Sequence, residues 1–313
     1  MIPNFDAAAV RARLTWPRML AALDEALRAE VHAPLRAHHT IDVPGMPAAS
    51  LLLMPAWRTG RHVGVKLVTV FPGNASRNER AVAAVYVLFD AVRGKPVGML
   101  DGEELTARRT AGASAYAAER LARRDSRHLV MVGAGLQCRG LIEAHRHVRP
   151  IERVTIWSRT LAHAEQTAKE CAQAGVPAHA TDDLEAAVAS ADIVSCATLS
   201  TSPLVLGRWL APGTHVDLVG AFKRHMRETD DEVMRRADLI VVDARDAALA
   251  EGGDVVLAIE SGAISPSSVA AELRDFAQGT HRGRTRDDEI TVFKSVGFAL
   301  EDLAAAEAVL AAD

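Results

Sequence analysis

The sequence predicts an α/β chain: a Rossmann-type, doubly wound parallel sheet preceded by a smaller α+β domain. Three observations predict it. From residue 126 onward, short apolar runs alternate with helical stretches, the pattern of a parallel sheet covered on both faces. The first of those runs ends in Gly133-Ala134-Gly135, directly before a helix. Ahead of residue 125 the apolar runs are longer, β-rich and consecutive, as in hairpin-linked strands.

The 313 residues are enough for two domains with their own cores. With 49% hydrophobic and 24% charged residues, the composition is that of a soluble globular chain. A net charge of −4 leaves no electrostatic footprint for nucleic acid. Lysine occurs only at Lys66, Lys95, Lys169, Lys223 and Lys294, so each one merits inspection. The three cysteines, Cys138, Cys171 and Cys196, are sparse and lack metal-ligand spacing, which argues for a reducing compartment. No basic-plus-apolar leader opens the chain and no uncharged run approaches membrane-spanning length, so a cytoplasmic protein away from membranes is expected.

The expected boundaries are a first domain over 1–125, a dinucleotide-binding domain over 126–294, and a last helix over 295–313. Thr15-Trp16-Pro17 starts a helix that continues through Met19, Leu20, Leu23 and Leu27. "SLLLMPAW", "HVGVKLVTVF" and "AVAAVYVLFD" then read as strands, punctuated by "PGN" and "RGKP". Glu103 to Arg124 reads as one helix rich in small residues. The later strands are "HLVMVGAG", "RVTIWSR", "DIVSCAT", "THVDLVG", "DLIVVDA" and, after a polar loop, "EITVFKSVG". Val296, Ala299, Leu300, Leu303 and Leu310 share a face of the last helix. Thr229 to Glu232 has capping-box spacing, and "RDDE" at 286–289 reads as a solvated loop.

Strand, turn and helix around Gly133, Ala134, Gly135, Leu136 and Gln137 form a phosphate cradle, with Cys138 at the third small position. Glycine lets the backbone approach a pyrophosphate, and the helix start offers unpaired N–H groups and a positive dipole end. The next strand ends in Ser158, Arg159 and Thr160, where an NAD site would carry an acid for the ribose. A guanidinium and two hydroxyls suit a 2′-phosphate, which favours NADPH, with NADH the alternative. Thr198 follows another parallel strand at its ligand-facing end; equally, its hydroxyl could satisfy its own turn.

In the first domain, Lys66 interrupts a strand that is otherwise apolar on both faces. Burial would lower its pKa and make it a proton donor near neutrality; the plainer reading is a lysine snorkelling from a sheet edge. Arg108-Arg109-Thr110, early in the small-residue helix, puts an arginine where it suits a carboxylate, and Arg36 is a second candidate, although by itself such a residue is more often on the surface. His32, His38, His39, His145 and His147 form no metal-ligand pattern, and no metal is expected.

In this order, Met54-Pro55-Ala56, "GVKLVTVFPGN", "LTARRTA", "VGAGLQ", "SRT", "VGAFKRHMRETDDE" and "EITVFKSVGFALEDLAAA" resemble the ornithine cyclodeaminase/μ-crystallin family across nearly the whole chain. The resemblance implies a substrate-binding and dimer-forming first domain, rejoined by the last helix, and a homodimer. It implies carboxylate-binding roles for Arg36 and Arg109, an active-site role for Lys66, and places in the substrate pocket for Met54, Thr110 and Phe222. It also brings Val219 and the Lys294, Ser295, Gly297 segment beside the nicotinamide. Cyclodeaminases of the family carry an aspartate where this chain has Phe222, and a glutamate where it has Leu52. Many relatives have histidine where it has Leu141. The "GAF" strand end looks like that of the bacterial Δ1-pyrroline-2-carboxylate reductases, though Lys223-Arg224-His225 replaces their Thr-Pro. The expected function is therefore NADPH-dependent reduction of a cyclic 2-imino acid. The alternatives are a cyclodeaminase, an alanine dehydrogenase, or a μ-crystallin-like protein that binds NADPH and a small ligand.

Overall fold

The computed structural model describes residues 2–77 and 79–312; Met1, Asn78 and Asp313, which the expected domain spans include, lie outside the described residues. The chain divides into two compact units. One holds the described residues up to Arg109 and from Phe298 onward; the other is Thr110–Gly297.

The first unit opens with β1 (Asn4–Phe5), α1 (Ala7–Arg13) and α2 (Trp16–Arg28). Asp6 caps α1 by accepting from the Ala9 N–H at 2.8 Å. Pro17 sits in the first turn of α2, where its missing N–H costs nothing, and Met19, Leu23 and Leu27 form the buried face. The remaining strands are β2 (Ala37–Ile41), β3 (Ala49–Arg58), β4 (His62–Val70), β5 (Val82–Asp90) and β6 (Pro96–Asp101). They form one sheet in the order β1-β6-β5-β4-β3-β2, antiparallel except for the β1–β6 pair. The register sets Lys66 of β4 between Met54 of β3 and Tyr86 of β5. The last helix, numbered α11 below (Ala299–Leu310), packs against α2, β3 and β4.

Helix α3 (Gly102–Leu121) begins after Asp101, whose carboxylate accepts from the Glu104 N–H, and it ends three residues before the expected Arg124. The division between the units falls within it.

The second unit is a sheet of eight parallel strands. They are β7 (His128–Val132), β8 (Arg153–Trp157), β9 (Ala178–Thr181), β10 (Ile193–Cys196), β11 (His215–Leu218), β12 (Leu239–Val242), β13 (Val269–Glu272) and β14 (Thr291–Lys294). Their order is β13-β12-β14-β11-β10-β7-β8-β9. Crossovers include α4 (Leu136–Val148), α5 (Leu161–Gln173), α6 (Leu184–Ala189), α7 (Asp231–Arg236), α8 (Arg245–Glu251), α9 (Gly253–Glu260) and α10 (Leu273–Gln278). Val130, Val194, Val216, Leu218, Val242 and Val292 of the central strands lie in one hydrophobic core. This is the doubly wound α/β arrangement that the alternating pattern predicts.

Inside that sheet Asp217 of β11 is fully buried. It accepts from Ser114 of α3 at 2.9 Å and Ser195 of β10 at 2.6 Å, and its Oδ2 lies 3.1 Å from His145 Nε2 of α4. Burial alone would raise its carboxyl; those hydrogen bonds, with His145 first among them, hold it below the ordinary aspartate range.

Two local expectations change. The cap of α7 is Asp230, which accepts from the Val233 N–H at 3.1 Å. Thr229 instead turns its hydroxyl inward to Asp254, so the capping box starts one residue early in the sequence reading. Glu289 of the expected solvated loop is buried, because it accepts from both the N–H and the hydroxyl of Thr285 at 2.8 Å.

Candidate active site

The first unit gathers its chemistry where β4 meets α11. Lys66 is 2% exposed, and its Nζ donates to Asp302 Oδ1 at 2.8 Å. Arg109 Nε donates to the same oxygen at 2.9 Å, and Arg109 Nη1 donates to Glu301 Oε2 at 2.7 Å. Two cations thus meet two adjacent, enclosed carboxylates. Burial lowers the Lys66 pKa to about 8; the Arg109 cation adds to the effect, Asp302 opposes it, and Arg36 lies near enough to push it down further. Burial would raise the Asp302 carboxyl, but Arg109 and Lys66 overcome it and hold the group below the ordinary range. Lys66 therefore stays inside the sheet rather than snorkelling from an edge.

The structure brings Lys66, Arg109 and Arg36 together and adds Glu301 and Asp302, which the sequence reading missed. Met54 is buried as the cross-strand neighbour of Lys66, and Thr110 is buried next to Arg109 in α3. The Tyr86 hydroxyl and Asp302 Oδ2 are interior polar atoms with no hydrogen-bond partner among the described residues. A buried polar ligand would find donors and acceptors here.

The second unit carries the glycine loop. Gly133 has φ +113°, and a Cβ there would lie 2.7 Å from the Ala197 carbonyl oxygen, so only glycine fits. A Cβ at Gly135 would meet nothing within 4 Å, which leaves the start of α4 open to a close-approaching group. Gly135 is the N-cap of α4 and supplies no side-chain cap, so the first N–H groups of a 13-residue helix remain available to an anion. Ala134 and Gln137 are half-buried beside this opening, Leu136 is exposed, and Gln137 Oε1 is an interior oxygen without a partner among the described residues. Ser158 is half-buried and Arg159 and Thr160 are exposed at the end of β8. Thr160 occupies the N-cap of α5, yet its hydroxyl makes no cap hydrogen bond. These features fit a dinucleotide.

Other expected cofactor residues are engaged within the protein. Thr198 donates its N–H and hydroxyl to Glu228 Oε1 at 2.6 and 2.8 Å, which is the turn-satisfying reading of that residue. Lys294 is fully enclosed and donates to the carbonyls of Leu218 and Gly220. The Ser295 hydroxyl and the Gly297 N–H both donate to Asp243 Oδ2. Val219 is half-buried at the end of β11, its N–H held by the Cys196 carbonyl.

Phe222 follows that strand and is half-buried. The residue before it, Ala221, has φ +48°, the one non-glycine in the left-handed region among the described residues. The Lys223 ammonium stands 5.9 Å from the Phe222 ring centroid. The strand end thus offers an aromatic face, which cannot accept a proton from an amine or a water. Among the described residues, no group of three or more His, Cys, Asp or Glu side chains is placed to hold a metal ion.

A Δ1-pyrroline-2-carboxylate reductase of Paracoccus denitrificans is 43% identical over 260 residues, 83% of this chain and 82% of that protein. The structure of Thermococcus litoralis Δ1-pyrroline-2-carboxylate reductase in complex with NADH and L-proline matches with a TM-score of 0.91 at 29% identity, over 99% of this chain and 96% of that one. An archaeal alanine dehydrogenase dimer with bound NAD matches with a TM-score of 0.90 at 28% identity, over 99% and 95%. The profile of the ornithine cyclodeaminase/mu-crystallin family matches residues 6–312, and the chain belongs to that family.

Proposed function

We propose that the chain is an oxidoreductase acting on carbon–nitrogen bonds, which reduces a cyclic 2-imino acid with NADPH. Δ1-Pyrroline-2-carboxylate would give L-proline, and Δ1-piperideine-2-carboxylate would give L-pipecolate. The observation that carries the reading is Phe222, an apolar ring at the strand end where a deaminating relative would need an acid.

When bound, the reduced nicotinamide would supply the hydride that the imine carbon needs. Arg36 and Arg109 hold the substrate carboxylate and so fix which carbon is presented. Lys66, with a pKa near 8, is protonated at neutral pH and gives its proton to the imine nitrogen. The nitrogen gains that proton as the carbon–nitrogen double bond becomes single, and Lys66 is reprotonated from solvent. Asp302 keeps the ammonium oriented through its 2.8 Å hydrogen bond. Phe222, an apolar ring, suits the methylenes of such a substrate. Arg159 and Thr160 would hold a 2′-phosphate, which favours NADPH over NADH, and the available N–H groups at the start of α4 would hold the pyrophosphate.

The reading places the protein in the cytoplasm, consistent with three free, buried thiols. Its partner is a second copy of the chain, supported by the exposed apolar side chains Leu35, Ile41 and Val82 of the first unit.

The test is loss of the reduced-nicotinamide absorbance with purified protein, NADPH and each cyclic imine. Pyruvate plus ammonium, and ornithine with NAD, run in parallel. Turnover confined to the cyclic imines supports the reading. Ammonia release from ornithine without imine reduction would replace it with a cyclodeaminase.

A further inference from the structure

Three ionisable side chains outside the reacting groups are wholly enclosed beneath the turn that carries Phe222. They are Lys294 at the end of β14, Glu228 in the segment before α7, and Asp254 in α9, each 0% exposed. They join the ends of β10, β11 and β14 to α9. Lys294 Nζ donates to the Leu218 carbonyl at 3.1 Å and to the Gly220 carbonyl, so one ammonium grips the strand end on either side of Val219. It lies 3.9 Å from Asp254 Oδ2. Asp254 Oδ1 accepts from the N–H groups of Glu228 and Thr229 at 2.8 and 2.9 Å and from the Thr229 hydroxyl at 3.0 Å. Glu228 Oε1 in turn holds the Thr198 loop. Gly220 lets these parts close on one another: a Cβ there would lie 2.2 Å from the Thr198 carbonyl oxygen and 2.4 Å from Glu228 Oε1. On the far side, the Gly253 N–H donates to the Ala221 carbonyl at 2.9 Å.

The turn needs such a grip. Ala221 sits at φ +48°, which an L-residue with a Cβ leaves when its surroundings relax. Carbonyls fixed on either side of the turn, at Gly220 by Lys294 and at Ala221 by Gly253, hold it there. Burial, with Asp254 beside it, pushes the Glu228 carboxyl up to about 8, so it is mostly neutral at neutral pH. Asp254 and Lys294 then balance each other, which is the condition for keeping both away from water.

We propose that Lys294 is a positioning residue: through the Leu218 and Gly220 carbonyls it fixes the Gly220-Ala221-Phe222 turn and so sets the place of the Phe222 ring. The role rests on the cyclic-imine reading for its catalytic consequence, and on the geometry alone for its mechanical one.

The test uses two variants. Lys294→Met removes the ammonium but leaves Asp254 uncompensated; Lys294→Met with Asp254→Asn removes it and keeps the cluster neutral, with the acceptor at Oδ1 retained. The exposed Lys223 and Arg224 are tryptic sites immediately after the turn, and cleavage there reads the grip without any substrate. In the folded double variant, cleavage at these two bonds rises about tenfold, and KM for the cyclic imine rises about tenfold while kcat and the NADPH KM stay within about threefold. Cleavage at the wild-type rate would overturn the proposal. So would a loss of kcat that tracks lost folded protein with both KM values unchanged. If wild type turned over no cyclic imine, the functional reading would fail, and the cleavage rates alone would decide the role of Lys294.

Discussion

Lys66 Nζ and Asp302 Oδ1 are 2.8 Å apart, with Lys66 on a strand of the first sheet and Asp302 on the last helix, and both side chains are shut off from solvent. The last helix thereby supplies the counter-charge for Lys66, the proposed proton donor.

The pH dependence of the reaction follows from Lys66. Its folded pKa lies near 8, below the ordinary lysine value, so the donor form is present at neutral pH and is lost as pH rises. The expected kcat/KM for a cyclic imine is level near neutrality and falls above about pH 8. Lys66→Met lowers kcat/KM by about 100-fold or more near neutrality, by less above pH 8 where the wild type has itself lost the proton, and removes that break. Full rate in this variant would take Lys66 out of the mechanism.

Asp302 raises the Lys66 pKa, against the lowering by burial and Arg109. Asp302→Asn therefore moves the break in kcat/KM to lower pH. Asp302→Ala leaves an enclosed ammonium and guanidinium without their shared carboxylate oxygen, and the expected cost is about 3–5 kcal/mol of stability. Denaturant midpoints measure the second effect and pH–rate profiles the first.

Much of this arrangement is legible in the sequence, and the gaps have physical causes. The glycine loop, Lys66 and Arg109 stand out because each violates its local pattern. Glu301 and Asp302 do not: they follow Leu300 and look like the solvent face of an amphipathic helix. In fact Ala299 through Glu307 are all buried, so that helix has no solvent face in its first two turns. The available signal was "ALEDLAAAEAVL", too poor in polar residues to be half-exposed. Strand β2, "AHHTI", is exposed along its whole length and has no alternation to find. Strands β9 and β13 are four residues each, at the two edges of their sheet, too short to show a period. Lys294 reads as a ligand-facing residue by its motif, yet its grip on two carbonyls depends on β14 lying beside β11, a pairing far apart in sequence.

In the proposed reading Arg159 makes the cofactor choice. Arg159→Ala is expected to raise the NADPH KM by about ten- to hundredfold, the loss of one or two charge-assisted hydrogen bonds, while the NADH KM changes less than about threefold. Initial rates with the two cofactors measure it; an equal effect on both would move the 2′-phosphate site elsewhere.

Gly133→Ala places a Cβ at φ +113° and 2.7 Å from the Ala197 oxygen. The expected result is a loss of about 1–3 kcal/mol of stability with a raised KM for the cofactor. Thermal unfolding with and without NADPH separates the two, because ligand binding to the folded state adds to the wild-type midpoint.

Isotope transfer reads hydride delivery to the imine carbon directly. The protein is given Δ1-pyrroline-2-carboxylate and NADPH carrying deuterium at the transferable position, and the product is analysed by mass spectrometry and chiral chromatography. The expected product is L-proline with a single deuterium at its α-carbon. Proline without that deuterium, or no proline while the same preparation releases ammonia from ornithine, would contradict it.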